Sequence, residues 1–558
     1  MIKNLCRAMM CYTIVALFSL TAISAQNFKY PLELPMSLSG NYGELRSNHF
    51  HGGVDFRVGG VVGAPIHATE DGYVSQISVS PSGYGNALYI THTNGFVSVY
   101  GHMLCFSDKI QEYVRQKQYQ TEEFRQILPL TADLFPVKKG DVIGKAGNTG
   151  SSGGPHLHFE IRDSSNVPLN VFARKIFTIS DKTPPVINSV AFYGCNKDTG
   201  VVNSYYLGVP SEGEIRLPEL SYVAIDAIDK QEGTAAKLAV NEYKVYLDTT
   251  LIYAVTIGEV PFEWGRYINS LMDYDRRMAG KYMIKSYVEP GNMLKERIIC
   301  KNQGLILLKD SLKHKVKVEV LDYLKNKTVR NYTVVRDDRM SKVMPEDTVK
   351  ANFMAWYLPG LYSTNGLNVH IPQASLYRSI YFQVDTAQTR ITPYAPVWKI
   401  HKPTVPLHFP MEIRIQSTLP DSLRSKAFVA QVSLSGRLSY VGGQFDSTGV
   451  CTTTVSAFGN YTIATDVTPP KITPSIANNA FVKGNKISFV IGDNLSGVNT
   501  YCVEIDGHWS LAELDGKTSR LTVPLQYAKI KKGGRHNLVI TVTDHVGNIA
   551  VVKRNFTW

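Results

Sequence analysis

Seven of the 14 histidines in this 558-residue chain fall between His49 and His158, and two groups among them carry metal-ligand spacing. The first is His51-Gly52-Gly53-Val54-Asp55. In a straight strand His51 and Asp55 share a face, but their Cα atoms lie ~13 Å apart, too far for one ion. The chain must therefore bend between them, and Gly52 and Gly53 permit a bend. The second is His156-Leu157-His158, followed by Phe159-Glu160. Positions i and i+2 of a strand point to one face, so both imidazoles can address one site while Leu157 and Phe159 pack into a core behind it. His51, Asp55 and one member of the last pair make a His₂Asp set with a fourth position open to water. That is the arrangement of a hydrolytic zinc site, whereas a structural site is closed by four ligands. Such a metal lowers the pKa of its water to roughly 7 and polarises a scissile carbonyl. The spare histidine of the pair and His102, in Tyr100-Gly101-His102-Met103, would then serve as acid/base and oxyanion stabiliser. His49 precedes the Gly-Gly bend and is not preferred as a ligand, and His67 and His92 read as structural or surface residues.

These residues must be held by strands and turns. Segments such as Gly72-Tyr-Val-Ser-Gln-Ile-Ser-Val, Ala87-Leu-Tyr-Ile-Thr-His and Gly95-Phe-Val-Ser-Val-Tyr alternate β-branched and aromatic residues with polar ones. Ser82-Gly83, Asn94-Gly95 and Lys139-Gly140-Asp141 supply turns between them, which predicts an antiparallel β domain. One stretch departs from this pattern. Ile110, Tyr113, Val114 and then Phe124, Ile127, Leu128 fall at helical spacing, so residues 107–128 are expected to form one or two amphipathic helices. They belong to an insertion at about 107–136, either a surface elaboration or a groove wall shaping substrate access.

With these motifs in hand, the segment resembles the lysostaphin-type (LytM-like) zinc metalloendopeptidases that cut peptidoglycan peptides. His51-Gly52-Gly53-Val54-Asp55, with Arg46 upstream, matches the family's first motif, and Tyr100-Gly101-His102 the middle one. Gly140-Asp-Val-Ile-Gly144, Gly147-Asn-Thr-Gly150 and Pro155-His156-Leu157-His158-Phe159-Glu160 match the last. The resemblance covers about residues 40–165. It implies one Zn²⁺ per chain on His51, Asp55 and His158, with His102 and His156 catalytic, and peptidoglycan peptides as substrate. The insertion after Cys105 is longer than the family's usual connection.

The remainder reads as β-rich and internally repeated. Asp181-Lys-Thr-Pro-Pro-Val-Ile187 recurs as Asp466-Val-Thr-Pro-Pro-Lys-Ile472, Asp229 with Gly233 as Asp493 with Gly497, residues 240–248 as 498–506, and Asp322 with Asn326 as Asp544 with Asn548. Four matches in one order argue for two copies of one domain. Short alternating strands suggest sandwiches, and they resemble bacterial immunoglobulin-like modules that open with a Thr-Pro-Pro linker. The first copy carries an insert near 264–299, part of it helical at about 270–278. The expected fold class is all-β and multidomain. A segment at 1–25 is followed by a peptidase domain at 26–180, a sandwich with insertion at 181–340, a β-rich domain of unnamed family at 345–465, and a sandwich at 466–558. His370, His401 and His408 in the third of these lack ligand spacing. Asp229, Asp322, Asp493 and Asp544 are calcium ligands or loop-capping residues, the second being the commoner use of such aspartates.

Length and composition bound the rest. The chain is long enough for several cores without disulfide staples, and 44% hydrophobic with 19% charged residues excludes wholesale disorder. Lys3 and Arg7, the apolar run 9–23 and Ser24-Ala25 read as a secretory signal peptide, shorter in its apolar part than a membrane-spanning helix requires. Its removal takes two basic residues from a net charge of +12. The expected location is the periplasm or cell envelope, with no transmembrane segment after processing. An exported basic protein suits an anionic envelope polymer or a membrane surface and not nucleic acid. The five cysteines beyond the signal are scattered and odd in number, so buried free thiols are expected in place of a disulfide framework or a Cys zinc site. Two functions fit: a secreted zinc endopeptidase whose β modules are spacers or platforms for wall or an envelope protein partner, or a non-catalytic envelope protein that binds wall peptides or activates another hydrolase. Full retention of the ligand and catalytic histidines favours the first.

Overall fold

A computed structural model describes residues 28–198, 201–210, 213–341, 352–387 and 393–558. The expected signal segment, and the start of the third domain, lie outside the described residues. The architecture is all-β and multidomain, with few short helices.

The N-terminal unit contains β1 (Leu38–Gly40), β2 (Val54–Arg57), β3 (Pro65–His67), β4 (Gly72–Val79), β5 (Ala87–His92), β6 (Val97–Gly101), β7 (Met103–Phe106), α1 (Asp108–Thr121), β8 (Gln126–Pro129), β9 (Pro136–Val137), β10 (Val142–Ala146) and β11 (His156–Arg162). Its main sheet runs β1-β2-β11-β6-β5-β4-β8, with β9 also on β4, and a second sheet runs β3-β10-β7. All these pairings are antiparallel. The period-two pattern of β11 sorts its side chains: Leu157, Phe159 and Ile161 are fully buried in a core with Val54, Phe56 and Tyr100, and the alternate residues face the other way. The register is decisive for the site. His158 stands opposite Asp55 on β2 and opposite Gly101 on β6, so three neighbouring strands deliver their chemistry in one row.

The insertion meets its expectation at the helix and differs from it at the end. A single helix, α1, buries Ile110, Val114 and Gln118, and Glu122 ends it in the left-handed conformation at φ 54°. Residues 126–129 then extend as β8 along the edge of β4, leaving Ile127 exposed. Helical spacing at 124–128 was thus fortuitous: strand pairing with an open sheet edge prevails over local periodicity.

Three further units each pack two main sheets around a core, the middle one with an added two-stranded sheet. In residues 186–336 the core joins Val190, Phe192, Val245, Val318 and Val334. In 353–465 it joins Val369, Phe382, Ile413, Val429 and Ile463. In 471–558 it joins Phe489, Val523, Ile540 and Phe556. The first and last share a pairing scheme. Glu242–Leu247 lies antiparallel to His314–Leu321, as Val498–Ile505 does to Arg535–Asp544. In each, a short strand adds in parallel, Glu214–Leu217 to Lys327–Arg336 and Ala480–Phe481 to Ile549–Thr557. The insert of the first has two short helices, Ile268–Leu271 and Tyr274–Met278, the second capped by Asp273. The thiols also depart from expectation in part: Cys195 and Cys451 are buried, Cys105 and Cys502 half-buried, and Cys300 exposed, all unpaired.

The four units close on themselves. The N-terminal unit meets the first sandwich through a bidentate Arg174–Glu259 pair and stacking of Phe172 on Tyr323. That sandwich meets the third unit through Tyr267 stacked on His408 and Tyr377 bonded to the Arg266 carbonyl. The third meets the fourth through Tyr440 stacked on His545 and Lys426 on the Val546 carbonyl. The fourth returns to the first. The guanidinium of Arg115 on α1 lies 3.3 Å from the ring centre of Tyr527, the Tyr119 hydroxyl donates to the Tyr527 carbonyl, and Trp509 packs edge-on against Tyr119. The insertion is therefore the seat of the C-terminal sandwich.

Candidate metal centre

His51, Asp55 and His158, brought from the loop before β2, from β2 and from β11, offer ligand atoms that converge. His51 Nε2 is 3.1 Å from Asp55 Oδ1, His158 Nδ1 is 2.9 Å from the same oxygen, and the two ring nitrogens are 3.0 Å apart. All three residues are buried. The chain does turn between His51 and Asp55, but neither intervening glycine has a positive φ. Gly53 is required for close approach: a Cβ there would sit 2.5 Å from the Phe159 carbonyl and 2.9 Å from the His158 ring.

The far side of each ring fixes which nitrogen faces the site. His51 Nδ1 donates to the Asn41 carbonyl at 2.8 Å, which leaves the Nε2 lone pair inward. His158 Nε2 donates to Glu160 Oε1 at 2.8 Å, which leaves Nδ1 inward. Glu160 is wholly buried and is itself held by Arg162 Nε at 2.6 Å and by the Tyr84 hydroxyl at 2.5 Å. The second oxygen of Asp55 receives Arg46 at 3.3 Å. Two imidazoles with their outer N–H groups committed and a ring nitrogen turned inward, beside one ionised carboxylate, form the donor set that zinc takes. Burial pushes the His158 pKa down, but the Asp55 and Glu160 carboxylates outweigh it and raise it to about 9, so a metal at this set displaces the inner proton of His158. Burial pushes the Asp55 carboxyl up, but the His51 charge and hydrogen bonds from His156 and His158 hold it well below the usual range. Burial opposes charge on Glu160 as well, and His158 and Arg162 overcome it and keep Glu160 ionised.

His102 and His156 border this set without joining it. His102 lies between β6 of one sheet and β7 of the other, at φ 58°, a region non-glycine residues seldom occupy. Its Nδ1 donates to the Thr149 carbonyl at 2.8 Å, so Nε2 is the free nitrogen. Burial, with the neighbouring His158 and His156, pushes its pKa down to about 4, and it is neutral at physiological pH. His156 Nδ1 donates to the Gly154 carbonyl at 2.8 Å, and its Nε2 points to Asp55 Oδ1 at 3.5 Å. The two rings are 4.8 Å apart. Of the remaining histidines near the motif, His67 and His92 serve structure, bonding the carbonyls of Gly140 and Asp71, and His49 faces away toward the Ser47 carbonyl.

The loop that supplies Thr149, Ser152 and Gly154 is gripped from outside. Lys517 of the C-terminal sandwich donates to the carbonyls of Asn148 and Ser152. Beside it opens a cleft of about 840 Å³ between the two units, lined by Leu104, Asn148, Gly150, Arg115, Asp515 and Tyr527. The sequence assigned no role to Asn41, Glu160, Thr149 or Lys517. Thr149 and Glu160 did stand within the last motif, and Glu160 shares the strand face of His156 and His158.

Residues 49–119 and 135–171 match peptidase family M23, and residues 351–466, the region whose family the sequence left unnamed, match the Zu5-like domain. The DD-carboxypeptidase/endopeptidase Mpg of Neisseria meningitidis serogroup B is 34% identical over 126 residues, 23% of each chain. The peptidoglycan DD-endopeptidase ShyB of Vibrio cholerae serotype O1 is 35% identical over 111 residues, 20% of each chain. The chain thus spans about a quarter or less of the length of the curated relatives it matches. Among solved structures, a zinc-containing peptidase from Vibrio cholerae is 26% identical with a TM-score of 0.20, covering 28% of this chain and 40% of that one. Residues 49–119 and 135–171 of the N-terminal unit are accordingly a peptidase family M23 domain.

Proposed function

We propose that this protein is an exported zinc-dependent endopeptidase that hydrolyses peptide bonds in peptidoglycan stem peptides or crosslinks. The observation that carries the proposal is the convergence of His51 Nε2, Asp55 Oδ1 and His158 Nδ1, each ring oriented by an outer hydrogen bond, beside two further imidazoles, His102 with a free Nε2 and His156 with its Nε2 toward Asp55. Relatives named peptidoglycan DD-endopeptidases support the substrate class. The net charge of +12, less the two basic residues lost with the signal, suits an anionic wall, and the sequence of residues 1–25 supports export. Among the described residues no helix is long and apolar enough to cross a membrane.

When bound on His51, Asp55 and His158, zinc supplies Lewis acidity and lowers the cost of deprotonating water. The chain's own residues do the rest. His102, neutral and oriented by Thr149, offers Nε2 to hold or release a proton. His156, oriented by Gly154, presents a second Nε2 4.8 Å away by ring centres. Peptide hydrolysis must stabilise a developing oxyanion and protonate a leaving amine, and two imidazoles divide these tasks. The second reading, a non-catalytic wall-binding or activating protein, predicts no bond cleavage. The deciding experiment incubates the mature chain with purified peptidoglycan, with and without a chelator, and analyses the fragments by mass. Chelator-sensitive release of new peptide termini supports the enzyme, and intact peptides in both arms overturn it.

Glu160 gives a quantitative prediction. Glu160→Gln removes the charge that fixes the His158 tautomer and breaks the buried ion pair with Arg162, so zinc affinity should fall about 10–100-fold. Competition with a chelating dye measures it, and unchanged affinity would refute the positioning role.

A further inference from the structure

Two triads of aspartate lie outside the site described above. Asp181, Asp229 and Asp322 bring one carboxylate oxygen apiece within 4.8 Å of one another, and Asp466, Asp493 and Asp544 do the same. The triads occupy equivalent places in the repeat: the aspartate that opens Asp-x-Thr-Pro-Pro, the one four residues before Gly233 or Gly497, and the one four residues before Asn326 or Asn548. Their hydrogen bonds repeat as well. Asn326 donates to Asp322 and to the Asp181 carbonyl, and Asn548 donates to Asp544 and to the Asp466 carbonyl.

Loop capping explains part of this arrangement. Asp322 and Asp544 use both oxygens on the backbone and side chain of their asparagines. It does not explain the middle aspartate. Asp229 is 1% exposed, and its Oδ1 receives no donor. At the equivalent place Asp493 Oδ1 is also a buried oxygen without a donor. Among the described residues, the donors that reach these carboxylates are backbone N–H groups and asparagine amides, all neutral. Three carboxylates crowded together, all buried in the first triad and with only Asp493 half-buried in the second, have an oxygen left unpaired and no cation supplied by the protein, a repulsion that a bound cation would relieve. The donors are all oxygen, with no imidazole or thiolate. That selects a hard cation, and loop carboxylates of irregular geometry suit calcium better than the strict octahedron of magnesium.

We propose that each triad binds one calcium ion, giving the chain two calcium sites that fasten neighbouring units. The first sits where the peptidase domain joins the first sandwich. The loop after Asp229 carries Gln231, which accepts from Leu38 N, and leads to Ala239, which exchanges hydrogen bonds with Asn41, the residue whose carbonyl orients His51. The second sits where the third unit joins the fourth, Asp466 N donating to the Lys426 carbonyl.

The test is calorimetric titration of the metal-stripped full-length mature chain with calcium alone, together with thermal melts. Wild type should bind two calcium ions and gain about 5 °C or more in its unfolding midpoint at saturating calcium. Asp229→Asn and Asp493→Asn should each bind one, and the double variant none. Each substitution removes one of three repelling carboxylates, so the calcium-free variants should melt no lower than calcium-free wild type, which separates lost binding from lost folding. Absence of binding at millimolar calcium, or calcium retained by the double variant, overturns the proposal.

Discussion

A His158→Ala chain is expected to lose its zinc and to fall to background hydrolysis of peptidoglycan. His158 Nδ1 lies within 3.0 Å of both other donor atoms, so its removal leaves two ligands and a void at the middle of the set. Loss of an outer partner alone costs about 10–100-fold in metal affinity, and loss of a ligand must exceed that. The change also strips Glu160 of one of its three partners, although Arg162 and Tyr84 still satisfy it, so the fold should survive. Metal analysis after dialysis, fragment release and a thermal melt on the same preparation make the check. Stoichiometric zinc in the variant would show that His158 is not a ligand.

The second large effect belongs to the two histidines that border the set. His102→Asn and His156→Asn should each lower kcat by on the order of 10²–10⁴-fold while zinc stays at one per chain. Asparagine can keep a hydrogen bond to the carbonyl of Thr149 or Gly154, the groups that now orient the rings, but it cannot carry a proton. His156 carries the sharper test, because its Nε2 is only 3.5 Å from Asp55 Oδ1 and a small shift would make it a ligand. Zinc content and turnover measured side by side separate the cases. Loss of metal in either variant makes that residue a ligand, and wild-type turnover in both removes them from the chemistry.

What the sequence disclosed, it disclosed through short-range geometry. His156 and His158 are two apart on a strand, and His51 and Asp55 are four apart across a turn, so spacing alone implied a shared site. Glu160 was within reach of the same period-two argument, since it follows His158 on the same face. The carbonyls of Asn41 and Thr149 were not, because any residue has a carbonyl and only the fold decides which one meets a ring. The strand at Gln126–Pro129 was misread because its apolar spacing fits a helix, and the open edge of its partner strand is a tertiary fact. The repeated aspartates were visible as two series, yet only folding shows that Asp181 joins Asp229 and Asp322 at a single point.

The closed circuit of four units bears on how strongly each joint must hold. The contacts of Lys517 with the Asn148–Ser152 loop and of Tyr119 with Tyr527 are few, and as a free encounter between separate proteins they would be weak. Within this chain the other three joints already hold the C-terminal sandwich beside α1. Its return contact is therefore intramolecular, at an effective concentration of order millimolar or above. A grip too weak to survive dilution can in this way keep the loop behind His102 and His156 in place. The same arithmetic works in reverse: a cut at any one of the three linkers returns that grip to its bare affinity, even when the cut lies far from the zinc ligands.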